Sequence, residues 1–200
     1  MKKIIGLLLL LIIAGIISGL IRDRDALEDN VIRLHIVGAS DDDEDQKIKL
    51  SVRDAVNKYL YQELQEVDSV EDARDILEKH LDDIKCVADH VLKENDCSGR
   101  STVTLQKESF PKRSYDTFSL PSGQYDSLRI VLEEGEGKNW WCVVFPSLCI
   151  PASTEEFQDM AVSSGFDNRL TNTLSQSGGY EIRFFFLDLV GKLENLLESF

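Results

Sequence analysis

The sequence predicts an α+β domain that follows an N-terminal transmembrane or signal helix. Three observations support this fold class: an uncharged apolar run at the N-terminus, two segments with apolar residues at helical spacing, and several short β-branched segments. The two helical segments follow one another directly after the first predicted strand. We therefore expect two long amphipathic helices to cover one mixed or antiparallel sheet.

The N-terminal element covers residues 1–21. Two lysines precede an uncharged and mostly aliphatic run over residues 4–21. As a helix this run is about 27 Å long, close to the ~30 Å hydrocarbon core of a bilayer. The lysines favour a cytoplasmic N-terminus, so residues 22–200 are predicted to form one exported, extracytoplasmic domain. The run is either an uncleaved membrane anchor or a signal peptide, with Ile17-Ser18-Gly19 as the best candidate cleavage site.

The exported domain is strongly acidic. The whole chain has 22 Lys and Arg against 36 Asp and Glu, and two of the lysines lie in the N-terminal segment. A negatively charged surface is repelled by nucleic acid and by anionic lipid. We therefore expect no nucleic-acid partner, and we expect contact with the membrane through the N-terminal helix.

Four cysteines in an exported chain permit two disulfides. The simplest pairing is local, Cys86 with Cys97 and Cys142 with Cys149, and the alternative is free buried thiols. Extended chain would separate Cys142 from Cys149 by about 23 Å, whereas bridged Cα atoms lie about 5.5 Å apart. A bridge between them therefore requires a sharp turn near Pro146.

Residues 31–37 form the first predicted strand, because they are a short, apolar, β-branched run. A first helix is predicted over about residues 41–63. Ser40 and Asp43 have the spacing of a capping box, and acidic residues suit the positive end of the helix dipole. A second helix is predicted from Asp68-Ser69 to about Lys93, with its apolar residues on one face.

The sheet should be completed by strands over residues 102–106, 127–132 and 139–145. The turn residues between the last two strands predict a hairpin. Residues 139–145 are apolar on both sides, so this strand should be central or should present one side to a partner. Further along, we predict a short helix over 155–160, a loop over 163–179, a strand over 180–186 and a helix over 187–197.

No residue pattern identifies a catalytic or metal site. The acidic run over residues 41–45 lacks the glycine and glutamate that an EF-hand loop requires. Cys86 and His90 are spaced for one helix face but have no second pair with zinc-site spacing. There is no nucleophile elbow and no phosphate loop. We therefore expect no catalytic residue, no metal, no cofactor and no small-molecule substrate.

Two other function classes remain as alternatives. The first is a secreted or membrane-anchored hydrolase that uses His35 with a carboxylate such as Asp41 or Asp54. It requires a concave polar pocket around His35. The second is a structural envelope protein held by the uncleaved helix, which would lose its function on release from the membrane.

Aromatic residues are concentrated between Phe110 and Cys149. Tryptophan and tyrosine dominate the energetics of protein interfaces. Trp140 and Trp141 are consecutive on a predicted strand, so their side chains should point to opposite faces of the sheet. One face must be core, and the other is either covered by a helix or available to a partner.

Two groups of residues stand out as possible family signatures. The first group is Ile32-Arg33-x-His35, Ser40-Asp41, Asp45-Gln46, Lys49 and Val52-Arg53-Asp54. The second group is Phe110-Pro111, Tyr115, Leu120-Pro121-Ser122-Gly123-x-Tyr125, Asn139-Trp140-Trp141-Cys142-Val143 and Phe145-Pro146-x-Leu148-Cys149. They resemble the N-terminal and C-terminal signatures of the stage II sporulation protein R family. The chain departs from the family at Gly38-Ala39-Ser40-Asp41, where an Ala-Asn-Ser-Asp turn would stand, and at Lys112-Arg113, where the family tends to have Thr-Lys.

The resemblance implies an intercellular signal of endospore-forming bacteria. Such proteins are made in the forespore and exported into the space between its membrane and that of the mother cell. There they activate a membrane-embedded aspartic-type protease, which removes the inhibitory pro-sequence of a mother-cell sigma factor. The signature positions then become candidate partner-binding residues: Arg33, His35, Asp45, Arg53, Trp140 and Trp141.

Overall fold

The computed structural model describes residues 2–97, 100–115, 118–146, 162, 171, 174 and 181–198. The helices in these ranges are α1 (Lys2–Asn30), α2 (Asp43–Leu64), α3 (Val70–Lys79), α4 (Leu81–Glu94) and α5 (Glu181–Glu198). The strands are β1 (Ile32–Val37), β2 (Ser101–Phe110), β3 (Arg113–Ser114), β4 (Ser119–Leu120), β5 (Gly123–Leu132) and β6 (Asn139–Phe145).

Four strands form one mixed sheet in the order β2-β5-β1-β6. The strand β1 pairs in parallel with β5 and antiparallel with β6, while β2 pairs antiparallel with β5. The short strands β3 and β4 form a separate two-stranded ribbon. The α+β class and the mixed sheet are therefore confirmed.

The predicted hairpin between β5 and β6 is wrong, because β1 lies between them. Their connection crosses the end of β1, where the Gly137 amide donates to the Gly38 carbonyl at 2.9 Å. A Cβ atom at Gly137 would collide with the Ser40 backbone. Glycine thus allows a short connection to cross the parallel partner. As a result β6 is an edge strand and not a central one.

The first face of the sheet carries the main apolar core. Alternate residues of the strands point to this face, and α2, α3 and α4 cover it. The helices contribute residues at helical spacing, and each fully buried aliphatic side chain stabilises the fold by about 1.5–3 kcal/mol. Representative buried residues are Val52, Val56 and Leu60 of α2, and Ile84, Ala88 and Leu92 of α4.

The second predicted helix is two helices that meet at His80. This residue has φ −102° and ψ 9°, outside the helical region, and it is both the last cap of α3 and the first cap of α4. Its Nδ1 atom lies 2.6 Å from the Tyr59 hydroxyl. Neither proline nor glycine is present at the break, and the contact with Tyr59 ties it to α2. The expectation of two long amphipathic helices is therefore not met, since three helices cover the face.

The helix starts are partly as expected. The Ser69 Oγ accepts a hydrogen bond from the Asp72 amide at 3.1 Å, which confirms the predicted start of α3. The capping box at α2 does not form, since Asp42 is the cap residue and makes no side-chain capping bond. Ser40 instead donates to Asp45 at 2.5 Å.

The apolar N-terminal helix does not end at Ile21 but continues to Asn30. It is long enough to cross a membrane, and an 18-residue window within it has a mean hydropathy of 3.0. Its last turns belong to the domain, because Leu27 is fully buried and Glu28 accepts from the Gln124 amide at 3.0 Å. The apolar segment and the domain are thus joined by unbroken helix.

The C-terminal strand predicted over residues 180–186 is wrong, whereas the helix predicted over 187–197 is confirmed and begins earlier. Phe184, Leu187, Asp188 and Gly191 are buried, which is helical spacing. This side of α5 packs against the second face of the sheet. The helix predicted over 155–160, and most of the loop predicted over 163–179, lie outside the described residues.

Candidate functional site

The second face of the sheet carries charged and aromatic side chains instead of an aliphatic core. Alternation along each strand sends odd-numbered residues of β1, β5 and β6 to this face. Even-numbered residues of β2 join them near its end. We call this group the His35 cluster: Arg33, His35, Glu108, Phe110, Tyr115, Tyr125, Arg129, Asn139 and Trp141.

His35 is the centre of the cluster and is 5% exposed. Its ring stacks on Trp141, with centroids 3.9 Å apart and an angle of 17° between the planes. Nε2 lies 2.9 Å from Asn139 Oδ1, and Nδ1 lies 3.2 Å from Glu108 Oε2. Both nitrogens face oxygen acceptors, so both hydrogen bonds form fully when the ring carries two protons.

Glu108 connects His35 to Arg129. Its Oε1 accepts from Arg129 Nη1 at 2.8 Å. Burial by itself raises the pKa of the Glu108 carboxyl, but the hydrogen bond from His35 and the charges of His35 and Arg129 outweigh it. The pKa therefore lies below its ordinary value, and Glu108 is ionised at neutral pH.

Arg33 is fully buried between two aromatic rings. Its Cζ atom lies 4.2 Å from the Phe110 ring centroid and 5.0 Å from that of Tyr125. Nη2 donates to the Tyr115 hydroxyl at 3.0 Å, while Nε and Nη1 have no hydrogen-bond partner in the part of the chain that the structure describes. Each unpaired buried donor destabilises a fold by about 1–3 kcal/mol. The two unpaired donors therefore favour a role for Arg33 other than stability.

The cluster has a buried floor and an accessible rim. Trp141 is partly exposed and packs edge-on against Phe110, with centroids 4.8 Å apart. The exposed Arg113 guanidinium lies 5.7 Å from the Trp141 ring centroid. Asn139 is exposed, and the Arg129 side chain is 36% exposed. We call four of these residues the rim: Arg113, Arg129, Asn139 and Trp141. The rim presents an aromatic ring and two cations on an acidic domain.

Arg53 and Trp140 lie on the opposite face from the His35 cluster. The Arg53 guanidinium lies 4.5 Å from the Trp140 ring centroid and also contacts Asp54 at 2.6 Å. The two tryptophans thus point to opposite faces, as predicted from strand alternation. Of the six candidate residues, the cluster brings together Arg33, His35 and Trp141.

Asp45 lies in a third place, the first turn of α2, where it accepts a hydrogen bond from Ser40 in the turn after β1. Gln46 donates to the Ser40 carbonyl at 2.7 Å, and the Lys49 ammonium donates to Gln46 at 2.6 Å and to the Lys138 carbonyl at 2.8 Å. Burial lowers the pKa of Lys49. These contacts tie the turn to the connection before β6. Here the N-terminal signature residues stabilise the fold.

The disulfide predicted between Cys86 and Cys97 is wrong, because both are free thiols in the structure. Cys97 follows the end of α4, where its amide donates to the Leu92 carbonyl at 3.0 Å. Cys97 therefore lies near Leu92, and the rise along α4 from Cys86 to Leu92 is about 9 Å. This exceeds the Cα separation of two bridged cysteines. Cys142 is disulfide-bonded, and Cys149 lies outside the described residues.

Several cluster residues were not among the candidates. Phe110, Tyr115, Tyr125 and Asn139 are signature positions, so the resemblance was a signal for them. Glu108 and Arg129 gave no signal, because a charged residue on a strand ordinarily faces solvent. Only the pairing of β2 with β5 places them beside His35.

The fold and the site define a class: an α+β domain with a buried charged and aromatic cluster, joined to an apolar N-terminal helix. Comparison with known proteins then specifies the family. The family model for stage II sporulation protein R matches residues 28–155. The chain is also 36% identical over 160 residues to stage II sporulation protein R of Bacillus subtilis (strain 168), covering 74% of this chain and 71% of that protein. No solved structure matches it.

The chain belongs to the stage II sporulation protein R family. Family membership identifies it as a sporulation signalling protein. The resemblance noted in the two signatures is thereby confirmed.

Proposed function

We propose that this chain is an extracytoplasmic sporulation signal that activates a membrane-embedded protease by direct contact. The activated protease then cleaves the pro-sequence of a mother-cell sigma factor. Family membership and the apolar N-terminal helix support this proposal. The chain is held at the forespore membrane by α1 or released after cleavage, and both forms keep the buried Leu27 in the domain, because the candidate cleavage site precedes it.

The observation that carries the proposal is the convergence of both signatures on one partly exposed site. His35 and Asn139 are in contact although 104 positions separate them in sequence. Residues of the first signature form the floor of the cluster, and those of the second signature form its aromatic walls and part of its rim. A binding face needs this combination of a fixed floor and an accessible aromatic residue.

The rim also indicates what kind of surface it contacts. Arg113 lies beside Trp141, and Arg129 lies across His35 from Trp141, within a chain whose formal net charge is −14. Arginine beside an aromatic ring suits carboxylates or backbone carbonyls next to an apolar side chain. We therefore propose that the protease presents an acidic or carbonyl-rich loop to this rim.

The hydrolase alternative is less well supported. Asp41 contacts Lys138 and Asp54 contacts Arg53, so the carboxylate beside His35 is Glu108 instead. Both ring nitrogens of His35 are engaged, and its ring is covered by Trp141. A general base needs a nitrogen that faces its substrate. The arrangement supports contact over turnover.

Co-expression with the candidate protease and its sigma-factor precursor in a non-sporulating bacterium tests the proposal. Trp141→Ala should lower processing by at least about tenfold, because an interface hot spot contributes about 2 kcal/mol or more. The matched control is Tyr61→Ala, since Tyr61 is an aromatic residue that is 52% exposed on α2. Normal processing by a folded Trp141→Ala protein would contradict the proposal.

A further inference from the structure

The C-terminal helix α5 carries an uncovered apolar stripe. Six large side chains that are between 39% and 75% exposed lie within an arc of about 120°. We call them the α5 stripe: Phe185, Phe186, Leu189, Leu193, Leu196 and Leu197. A contiguous apolar patch of this kind on a soluble domain indicates an interaction site.

The opposite side of α5 is hydrogen-bonded to the sheet and to the segment before β5, so the stripe is held in place. Asp188 accepts hydrogen bonds from the Ser122 amide at 3.1 Å and from its hydroxyl at 2.8 Å. Asn195 accepts from the Gln124 side chain at 3.0 Å and donates to the Phe110 carbonyl at 3.1 Å. The helix therefore holds its stripe in a fixed direction away from the sheet.

The stripe lies beside the point where α1 leaves its apolar run. Arg24 of α1 forms an ion pair with Glu194 of α5. Arg24 is three residues beyond Ile21, which corresponds to about 4.5 Å along the helix axis. Ile17 and Ile21 of α1 are themselves 50% and 42% exposed. Apolar surface thus continues from the membrane helix to the neighbourhood of Leu193 and Leu197.

We propose that the α5 stripe inserts into the headgroup and acyl-chain boundary of the membrane that α1 spans. This inference rests on the proposed anchoring by α1. An amphipathic helix in this position typically buries its apolar face about 5–10 Å into the boundary. The helix α5 is then a second membrane contact beside a transmembrane anchor.

Local charges allow this contact despite the acidity of the domain. The two acidic side chains of α5 nearest the docked side are paired: Glu194 with Arg24, and Asp188 with Ser122 and Lys192. The stripe itself is uncharged, so its insertion depends on apolar burial and not on attraction to anionic lipid. Lys192 borders the stripe and is 62% exposed, which suits a phosphate headgroup.

The contact would also place the rim close to the membrane surface. Phe184, near the start of α5, lies 4.6 Å below the Lys112 ammonium, which precedes Arg113 of the rim. Two membrane contacts fix both the height and the rotation of the domain. The rim would then lie near the surface, where a membrane-embedded partner can reach it.

The experiment uses the full-length chain in vesicles of phosphatidylethanolamine and phosphatidylglycerol. In a Cys86→Ser, Cys97→Ser background, single cysteines carry an environment-sensitive fluorophore at Leu193→Cys or Leu197→Cys. Ile12→Cys in α1 reports lipid, and Tyr61→Cys on α2 reports water. Quenching by brominated acyl chains is compared with quenching by aqueous iodide.

We expect the Leu193 and Leu197 probes to be quenched by brominated lipid and protected from iodide, like the Ile12 probe. Iodide quenching equal to that at Tyr61, with Ile12 in lipid, would overturn the inference and leave the anchoring intact. If the Ile12 probe were also in water, the proposed anchoring would fail as well. Shielding of the stripe from both quenchers would mean that protein covers it, which would overturn the inference too.

Discussion

At the scale of single residues, the His35 cluster combines features that oppose stability with features that favour binding. Arg33 is buried without a carboxylate partner among the described residues, and its charge is stabilised by two aromatic faces and one hydroxyl. A cation over an aromatic ring gains about 0.5–2 kcal/mol per pair. This only partly offsets the desolvation of a guanidinium. A residue of this kind is expected where function, and not stability, maintains it.

Replacement of Arg33 separates these two roles. Arg33→Met removes the unpaired donors and keeps the apolar contacts with Phe110 and Tyr125, because methionine packs well against aromatic rings. We expect the free energy of unfolding to stay equal or rise by about 1–4 kcal/mol, while sigma-factor processing falls. Denaturant titration of the detergent-solubilised chain and the co-expression assay measure the two effects. A loss of more than about 2 kcal/mol would instead show that Arg33 is structural.

Buried carboxylates determine the response of the fold to acid. The pKa values of Glu108, Asp89 and Asp188 all lie below their ordinary values. Burial by itself would raise them, but hydrogen bonds from basic and hydroxyl groups outweigh that effect. A lowered pKa in the folded state adds stability above the unfolded-state value, and this stability is lost as pH falls through the folded value. The ordinary pKa values are 4.5 for Glu and 3.8 for Asp.

We therefore predict a free energy of unfolding that changes little above about pH 5 and falls steeply below about pH 4. Chemical denaturation at a series of pH values measures this profile. Glu108→Gln should lower stability at pH 7 and flatten the acid slope, because it removes one of the groups that titrate. An unchanged slope in Glu108→Gln would show that Glu108 contributes nothing to it.

At the scale of secondary structure elements, local patterns predicted what depends on local chemistry. The strand β1, the helix α2 and the Ser69 cap were all predicted from short segments. The break at His80 and the helical state of residues 181–186 were missed, and both lie in segments that contact distant parts of the chain, α2 through Tyr59 and Ser122 through Asp188. The insertion of β1 between β5 and β6 could not be predicted from turn residues alone.

The same division holds for the candidate site. Strand alternation separated Trp140 from Trp141, and the family resemblance supplied Arg33 and His35. Glu108 and Arg129 are members only because β2 and β5 pair in one particular register. Side chains whose partners come from distant strands are not recognisable from the sequence around them.

The segment between β4 and β5 brings α1 and α5 together against β5, and a substitution can test this packing. Ser122 holds α5, while Gly123 lies against Glu28 of α1. A Cβ atom at Gly191 would collide with the Ser122 carbonyl, so glycine is required for α5 to approach this closely. Gly191→Ala should therefore displace α5 and lower the free energy of unfolding by about 1–3 kcal/mol.

Hydrogen exchange provides the measurement for Gly191→Ala. Amides of α5 should exchange faster than in the unmodified chain, while those of β1 stay protected. The control is Tyr61→Ala, because Tyr61 is 52% exposed on α2, which covers the opposite face of the sheet from α5. Equal protection of α5 in Gly191→Ala and in the unmodified chain would contradict the close packing described here.

At the scale of the whole molecule, we assign different roles to the two faces of the sheet: stability to the first face and binding to the second. Three helices bury the first face in an apolar core, which supplies most of the stability. Among the described residues, the second face is covered by the end of α1, the β3–β4 ribbon, Leu174 and α5. The rim of the His35 cluster is partly exposed there, on the same side as the elements that adjoin α1.

The central claim is that the rim contacts the protease, and site-specific photo-crosslinking tests it most directly. Arg113 is replaced by p-benzoylphenylalanine in the co-expression host, and the same replacement at Tyr61 on the far side of the domain is the control. The account predicts an ultraviolet-dependent crosslink to the protease from position 113 and none from position 61. A crosslink from position 61 alone, or equal crosslinks from both, would contradict it.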